Sequence, residues 1–172
     1  MLVTFSKILS SGLRLAVMIT PDLDLMDALV RTKQATDLCT SKLTQHIAAR
    51  YMLDYGMDKH LEDIRPIYRE KRNAMIRALE TYMPTDEGIR WTKPDGGLFV
   101  WVWLPEAIDA QEMLARAIEQ KVAYVPGTSA FVDNSGHNTM RLAFSFSTNE
   151  KIDEGIRRLA DVVKAEIASK KA

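Results

Sequence analysis

Cysteine and histidine are scarce in this chain, and their scarcity argues against several kinds of site. Of the 172 residues, one is cysteine (Cys39) and three are histidine. A single cysteine cannot form an intramolecular disulfide, which fits a reducing compartment and favours a cytoplasmic location. Cys39 lies in a stretch of helical pattern and is predicted to be a buried structural thiol. His46, His60 and His137 lack the spacing of metal ligands, so no metal site is expected.

An excess of charge of one sign and long apolar runs are also missing. The 23 lysines and arginines balance 23 aspartates and glutamates, so binding to nucleic acid has no electrostatic support. No apolar run approaches the roughly 20 residues that span a bilayer, and no signal peptide is visible. We therefore expect neither nucleic acid nor a membrane as a partner. With 47% hydrophobic residues, the chain can bury the core of one domain, alone or with part of another.

The first third of the chain has a helical pattern after a short apolar run. Residues 13–20 are apolar and are predicted to form a buried strand. Thr20-Pro21-Asp22 is typical of a helix start, because proline suits the first helical position and aspartate suits the positive end of the helix dipole. The helical pattern continues with interruptions to about Tyr55, and Gly56 is predicted to end it.

A long amphipathic helix is predicted over residues 58–83. Its apolar side chains recur at three- and four-residue steps and define one stripe: Leu61, Ile64, Tyr68, Met75, Leu79 and Met83. Pro66 lies inside this pattern and is expected to kink the helix or to begin a new one, since proline lacks the amide donor. A set of cations is predicted to form the solvated face: Arg65, Arg69, Lys71, Arg72 and Arg77.

Strands alternate with helices in the remainder of the chain. Strands are predicted at residues 88–93, 98–104, 121–125 and 139–146, with a Pro-Asp-Gly-Gly turn at residues 94–97. The stretch 98–104 is apolar on both faces and should be an interior strand, with Trp101 and Trp103 in the core. Pro126-Gly127 is predicted to stop the third of these strands.

Two capping boxes predict the starts of two further helices. Asp109 and Glu112 form the first, before a helix to about Gln120, and Ser147 and Glu150 form the second. The final helix carries a clean apolar stripe: Ile152, Ile156, Leu159, Val163 and Ile167. The element order predicts an α/β fold, in which a sheet of three or four strands is covered by helices in an α/β sandwich over residues 58–172. Residues 1–57 close no core of their own and are interpreted as the end of a larger domain.

A lysine near the start of the chain lies among residues suited to cofactor chemistry. A primary amine can hold an aldehyde as an imine and can later move a proton on the substrate carbon, provided that desolvation or nearby positive charge keeps it unprotonated. Lys7 has an apolar flank formed by Phe5, Ile8 and Leu9, and Arg14 lies nearby in sequence.

A phosphate group needs hydroxyl and cationic donors, and the same segment contains them. Thr4 and Ser6 offer hydroxyls, and Arg14 offers a bidentate fork. Gly12 is expected to permit a tight backbone turn before that arginine.

The run Thr4-Phe5-Ser6-Lys7-Ile8-Leu9-Ser10-Ser11-Gly12-Leu13-Arg14-Leu15 resembles the cofactor-lysine segment of the class I/II (fold-type I) pyridoxal-phosphate aminotransferases. Three more segments resemble parts of that family, in the family's order: residues 93–101, 122–131 and 138–145. The resemblance implies that Lys7 forms the Schiff base with pyridoxal 5′-phosphate. Thr4, Ser6 and Arg14 are then cofactor ligands.

The other matched segments resemble the substrate side of the family's site. Within residues 138–145, Arg141 matches the arginine that grips the substrate α-carboxylate. In residues 93–101, Gly96 and Gly97 match the glycine pair beside the substrate, and Gly97 is the candidate contact. Residues 122–131 match a loop near the site entrance.

The family resemblance also implies a domain arrangement and an activity. Residues 58–172 correspond to the small C-terminal α/β domain, and residues 1–57 to a C-terminal remnant of the large domain that binds pyridoxal phosphate. The implied reaction moves an amino group between an α-amino acid and a 2-oxo acid. The resemblance is closest to the branch that acts on 2-aminoadipate, kynurenine and aromatic amino acids, and it implies a homodimer when the enzyme is intact.

The resemblance assigns several parts of the site to sequence that precedes the lysine. These are the aspartate on the pyridine nitrogen, the aromatic residue stacked on the ring, and a helix N-terminus at the phosphate. We therefore expect the missing N-terminal half of the same enzyme to be a partner and the isolated chain to be inactive. Two alternatives stay open: the effector-sensing, aminotransferase-like domain of a transcription regulator, and one chain of a split enzyme.

Overall fold

The protein forms two compact units along the chain. The structure, a computed structural model, describes residues 1–133 and 135–171. The first unit is Met1–Ile64 and the second is Arg65–Ala172. Within the described residues, no helix combines the length and the apolar character needed to cross a membrane.

A two-stranded ribbon opens the first unit. Strand β1 (Leu2–Thr4) pairs antiparallel with β2 (Ala16–Met18), and Thr4 lies opposite Ala16. The prediction of a strand within residues 13–20 is confirmed, but the prediction that it is buried is wrong, because every residue of β2 is exposed. A ribbon of two strands alone cannot bury the side chains of both its faces.

Two helices follow the ribbon. Helix α1 (Leu23–Asp37) begins after Asp22, whose carboxylate accepts the Leu25 N–H at 3.0 Å. The predicted helix start is confirmed, with Pro21 placed one residue before the cap. Helix α2 (Lys42–Asp54) ends ahead of Gly56, whose φ of +75° is the left-handed conformation expected of a terminating glycine.

The first unit buries very little. Leu15 and Ala48 are its buried hydrophobic residues among those described, which agrees with the expectation that this region closes no core of its own. Cys39 lies in the connection between α1 and α2 and is exposed. The prediction of a buried structural thiol is therefore wrong, because the helical pattern breaks before this residue.

Helix α3 (Met57–Tyr82) runs through both units without interruption. Pro66 lies inside it, and no new helix begins there, contrary to one of the two expectations. The second half of α3 buries Ala74, Met75, Ala78 and Leu79.

The second unit is built on a four-stranded antiparallel sheet. Its strands are β3 (Arg90–Trp91), β4 (Phe99–Trp103), β5 (Val125–Pro126) and β6 (Thr139–Ala143), and their spatial order is β3-β4-β6-β5. The interior position predicted for the strand at residues 98–104 is confirmed. The strands at both edges have only two residues each, and Pro126 belongs to one of them, since an edge strand tolerates a residue without an N–H donor.

Helices α4 (Ala110–Glu119) and α5 (Asn149–Lys171) pack with the second half of α3 on one face of this sheet, as the predicted α/β sandwich requires. Asp109 caps α4 by accepting the Gln111 and Glu112 N–H groups. At α5, Thr148 is the capping residue, because its hydroxyl accepts the Lys151 N–H at 3.4 Å. The predicted cap at Ser147 is therefore wrong by one position. All the apolar residues of α5 predicted to share one stripe are buried.

Side chains of β4 alternate between the two faces of the sheet. Val100 and Val102 are fully buried beneath the helices. Phe99, Trp101 and Trp103 are half-buried on the opposite face. The prediction that both tryptophans lie in the core is wrong, because the strand period of two sends them to the face opposite the buried Val100 and Val102.

Two cations of α3 hold loops of the second unit. The Lys71 ammonium donates to the Ser145 carbonyl at 2.9 Å. Arg72 donates through Nη1 to the Pro94 and Asp95 carbonyls, both at 3.2 Å. The prediction of a fully solvated cationic face is therefore wrong at these two positions, whereas the other three cations of that face are exposed.

A close approach fixes the loop that follows β5. A Cβ placed on Gly127 would lie 1.7 Å from Thr139 Oγ1 and 2.9 Å from Thr139 Cβ. Thr139 is itself held, because its hydroxyl donates to the Gly136 carbonyl at 2.7 Å. Only glycine fits at position 127 without movement of β6.

Replacing Gly127 with alanine is expected to destabilise the fold by about 1–3 kcal/mol, because β6 must shift to make room for the methyl group. Gly155→Ala is the matched control. Gly155 lies within α5, and a Cβ there meets nothing within 4 Å, so the control should stabilise by about 0.5–1 kcal/mol. Urea denaturation of both variants measures the difference. Equal effects of the two substitutions would contradict the contact at Thr139.

Arg72→Met is expected to cost about 1–2 kcal/mol and to raise amide hydrogen exchange at Gly97, because two carbonyls lose a charged donor. Arg77→Met is the control. Arg77 is an exposed arginine of the same helix whose guanidinium makes no hydrogen bond within the described residues, so its loss should stay within about 0.5 kcal/mol. Urea denaturation and exchange monitored by NMR compare the two. An Arg72 variant as mild as the control would show that the tether is dispensable.

Candidate functional site

Residues 5–15 form a short loop between β1 and β2 that carries the predicted cofactor lysine. The Phe5 N–H donates to the Leu15 carbonyl at 3.0 Å and closes the loop at its base. The Leu9 and Ser10 N–H groups then donate to the Phe5 carbonyl, at 2.8 and 3.1 Å. These bonds confine Lys7 to a compact turn at one end of the ribbon.

Thr4 ends β1 at the base of this loop. Its hydroxyl oxygen accepts the Ser6 N–H at 3.2 Å. The hydroxyl hydrogen remains available as a donor, because accepting a bond uses only an oxygen lone pair. Thr4 is exposed and Ser6 is half-buried, so both can present hydroxyl groups to a bound anion.

Arg14 stands at the other side of the loop in an unusual backbone conformation. Its φ of 49° and ψ of 43° are left-handed, and its N–H donates to the Ser11 carbonyl at 3.4 Å. A non-glycine residue in this conformation costs on the order of 1–3 kcal/mol, and such residues cluster at functional sites. The tight turn expected before Arg14 is present, as a 3-10 turn over Ser11–Leu13, but its backbone conformation does not require glycine. Gly12 does not have a positive φ, and a Cβ there would make only an ordinary 3.7 Å contact with Ser10 Oγ.

Lys7 itself is exposed, whereas Phe5, Ile8 and Leu9 are half-buried. The expected desolvation of the amine by this apolar flank is therefore not provided. A dry environment for the amine has to come from groups outside this loop.

The loop fits a phosphate group because of the chemistry of its donors. Lys7 and Arg14 are cations, Thr4 and Ser6 are hydroxyl donors, and the first carboxylate of the chain is Asp22. An anion bound here meets donors of both kinds and no nearby side chain of its own sign in the loop. The site residues predicted from the sequence in this unit therefore lie in one loop of matching chemistry.

Arg141 lies at the centre of β6 in the second unit. It pairs with Trp101 of β4 on one side and with Val125 of β5 on the other. Its side chain is half-buried, and its guanidinium carbon lies 4.3 Å from the centroid of the Phe99 ring. Arg141 therefore stands on the sheet face opposite the helices.

Gly97 precedes β4 in a bend and has a φ of +81°. No atom lies within 4 Å of a Cβ placed on it, so the backbone conformation and not crowding favours glycine there. The bend lies two residues before Phe99, whose ring contacts Arg141. The structure thus brings the Gly97 bend and the predicted carboxylate-binding arginine to the same region of the second unit.

The loop predicted to lie near the site entrance is anchored at both ends. Tyr124 is buried and donates to the Ala110 carbonyl at 2.7 Å, and burial raises the pKa of its phenol. At the other end, the Phe131 ring lies 6.1 Å from the Trp101 ring. The loop therefore reaches the sheet face that carries Arg141.

Sequence reasoning missed four residues that support this region. Phe99 contacts Arg141, Phe131 contacts Trp101, and the tethers Lys71 and Arg72 hold the segments around Arg141 and Gly97. The alternation of β4 could have signalled Phe99, since it puts residues 99 and 101 on one face. No sequence signal distinguishes the tethering cations from solvated ones. Among the residues described, no group of three or more His, Cys, Asp or Glu is arranged to hold a metal ion.

The chain is similar to known proteins over most of its length. The family model for aminotransferase class I and II matches residues 1–159. The aromatic-amino-acid aminotransferase 1 of Thermococcus litoralis is 46% identical over 164 residues, which is 95% of this chain and 39% of the relative. The chain therefore spans about two fifths of the length of such curated relatives.

Two solved structures match nearly all of the chain. A kynurenine aminotransferase of Pyrococcus horikoshii, crystallised in complex with PMP, is 46% identical with a TM-score of 0.88, over 96% of this chain and 40% of that one. The α-aminoadipate aminotransferase LysN of Thermus thermophilus, complexed with N-(5′-phosphopyridoxyl)-L-leucine, is 40% identical with a TM-score of 0.88, over 98% and 42%.

A more distant relative corresponds to one of the alternatives. An HTH-type transcriptional regulator of Bacillus subtilis, YdfD, is 29% identical over 97% of this chain and 33% of its own length. Its identity is below the 40–46% of the three aminotransferases described above. A family model covering residues 1–159 of 172, together with relatives that are 40–46% identical, establishes that this chain belongs to the class I and II aminotransferase family, whose membership implies pyridoxal phosphate as the cofactor.

Proposed function

We propose that this chain carries the covalent cofactor anchor and the carboxylate-binding arginine of a pyridoxal-phosphate aminotransferase. The observation that carries the proposal is the loop at residues 5–15 with Thr4 at its base. A lysine stands there between hydroxyl and guanidinium donors, with no acidic residue before Asp22. The proposed reaction moves an amino group from an α-amino acid to a 2-oxo acid.

Pyridoxal phosphate, when bound, supplies an electron sink that stabilises negative charge on the substrate α-carbon. Lys7 would hold the cofactor through Nζ, and the same amine would move the α-proton of the substrate. Arg14 would hold the phosphate as a cationic donor, and Thr4 and Ser6 would donate their hydroxyl hydrogens to it. Arg141 holds the substrate α-carboxylate, with the Gly97 backbone beside the substrate.

The proposed substrates belong to the branch that acts on aromatic amino acids, kynurenine and 2-aminoadipate. The names of the similar enzymes of Thermococcus litoralis, Pyrococcus horikoshii and Thermus thermophilus support this choice. The sheet face around Arg141 is aromatic, with Phe99, Trp101 and Phe131 in ring or cation contacts, which is also compatible with apolar substrate side chains.

We further propose that the rest of the same enzyme covers the first unit. That unit contains an open cleft of about 690 Å³, lined mostly by apolar side chains of β2, α1 and α2. Large apolar residues along this cleft are exposed, among them Val17, Met18, Val30 and Leu38, and clustered exposed apolar residues mark a contact with another polypeptide segment. The 172 residues cover only 39% of the Thermococcus litoralis relative, so the remaining part of such an enzyme is the proposed occupant, in one chain or as a separate subunit.

The covering part also completes the site in this proposal. It removes Lys7 from water, which lowers the cost of an unprotonated amine, and it contributes the groups that contact the pyridine ring. The isolated chain is therefore inactive. We propose a homodimer in the cytoplasm for the intact enzyme, with domains that correspond to residues 1–57 and 58–172.

A regulator role remains the second candidate, favoured by the similarity to YdfD over 97% of the chain. It uses the same cofactor loop for sensing and needs a DNA-binding segment elsewhere in the protein. The higher identity to enzymes, 46% against 29%, makes the aminotransferase the first choice.

Lys7 is expected to be the preferred attachment point for pyridoxal phosphate on this chain. After incubation and borohydride reduction, peptide mapping should find the label at Lys7, and inorganic phosphate should compete. Arg14→Met should reduce labelling about tenfold, since charge-assisted hydrogen bonds contribute about 1.5–3 kcal/mol. Lys42→Ala, which removes another exposed lysine of the same unit, should leave labelling at Lys7 unchanged. Equal labelling of Lys42 and Lys7 would rule out a specific site.

Turnover is expected only when the chain is completed. The isolated chain, given pyridoxal phosphate and phenylalanine with 2-oxoglutarate, should not exceed the rate of free cofactor. A chimera in which this chain replaces the matched region of the Thermococcus litoralis relative should transaminate, and Lys7→Ala should abolish that activity. The unmodified relative serves as the positive control. An isolated chain that turns over as fast as the relative would contradict the proposal.

A further inference from the structure

Two arginines of the second unit lie over aromatic rings on one face of the sheet. The Arg141 guanidinium carbon is 4.3 Å from the Phe99 ring centroid, and the Arg90 guanidinium carbon is 4.2 Å from the Trp103 ring centroid. Both distances are within the range of a cation–π contact, about 6 Å. Only Arg141 is proposed to bind substrate. The Arg90–Trp103 contact therefore serves as a control for the Arg141–Phe99 contact.

The contact with Phe99 requires Arg141 to lean along the sheet. Arg141 is directly opposite Trp101, whereas Phe99 pairs with Ala143, two residues further along β6. Phe99 is therefore a diagonal neighbour, at a distance that only long or aromatic side chains bridge. Since Phe99 is the first residue of β4, this lean carries the guanidinium toward the Gly97 bend.

The donors of Arg141 are not used by the described part of the chain. Its guanidinium makes neither a hydrogen bond nor an ion pair with any described residue, although the side chain is half-buried. A ring stacked on a guanidinium occupies its flat face and leaves the N–H groups, which lie in the plane, available to an acceptor. A half-buried cation held in this way is prepared for an external anion.

We propose that Phe99 is a positioning residue that holds the Arg141 guanidinium at the Gly97 end of the sheet for the substrate carboxylate. The inference rests on the proposed carboxylate contact of Arg141. An arginine side chain has four rotatable torsions, and the ring reduces the freedom that carboxylate binding would otherwise remove. Loss of the ring should weaken carboxylate affinity about three- to tenfold, the range expected for a partly desolvated cation–π contact.

The test uses NMR of the full 172-residue chain and pyruvate as the probe. In the unmodified chain, the Arg141 side-chain hydrogens should show an upfield ring-current shift, and pyruvate should perturb the Arg141 Nε–H signal. Phe99→Leu should lose the ring-current shift and raise the dissociation constant for pyruvate about three- to tenfold. Phe99→Tyr keeps the aromatic ring. It should therefore retain the ring-current shift and bind pyruvate with a dissociation constant within about twofold of that of the unmodified chain.

Trp103→Leu is the matched control. It removes the other ring under an arginine on the same face and should leave pyruvate binding at Arg141 unchanged. The NMR spectra also report whether each variant is folded. If Phe99→Leu unfolds, Phe99→Tyr still tests the inference. A folded tyrosine variant that binds pyruvate weakly and lacks the ring-current shift would overturn it.

Failure of the inference and failure of the proposed function give different results. If Phe99→Leu binds pyruvate as tightly as the unmodified chain, or if Trp103→Leu weakens binding equally, Phe99 does not position Arg141. If pyruvate leaves the Arg141 signal of the unmodified chain unperturbed while the ring-current shift is present, the carboxylate contact itself is wrong, and the inference falls with it.

Discussion

The pairing of β4 with β6 is the constraint on which the second unit depends. Its register puts Val100 opposite Leu142 and Val102 opposite Met140, all beneath the helices, and Trp101 opposite Arg141 on the other face. A slip of one residue would bury a guanidinium and expose the core. The hydrophobic energy of the helix-covered face therefore also decides on which face of the sheet Arg141, the arginine proposed to bind substrate, lies. The same β4–β6 register therefore determines both which residues are buried and where the proposed carboxylate ligand lies.

The first unit depends on a weaker constraint. The bond from Phe5 N–H to the Leu15 carbonyl closes the cofactor loop, but almost nothing in the unit is buried. The loop gathers cations and hydroxyl groups, and their mutual repulsion is screened because Lys7 and Arg14 are exposed to water. Chemistry at Lys7 needs a drier environment than this. We therefore propose that Lys7 becomes active only when another polypeptide segment covers the open cleft.

Much of the fold could be predicted from the sequence, because periodicity reports burial directly. The stripe of α5 and the cap at Asp109 are examples. The wrong predictions concern features that a hydrophobic pattern does not specify, such as the face of a sheet on which a side chain lies. An apolar run such as residues 98–104 predicts an interior strand but not which face Trp101 takes, and two adjacent hydroxyl residues, Ser147 and Thr148, are equally able to cap a helix.

The candidate site was predictable to the extent that its chemistry lies in side chains close in sequence. Thr4, Ser6, Lys7 and Arg14 fall within eleven residues, and the structure puts them in one loop. The strain, however, is at Arg14 and not at Gly12, because backbone dihedrals are settled by the loop's hydrogen bonds and not by residue type alone. Residues that act through tertiary contact, such as Arg72 on the Pro94 carbonyl, have no local signature. Their charge predicts solvation equally well, and only the packed structure shows that Lys71 and Arg72 donate to backbone carbonyls of the second unit.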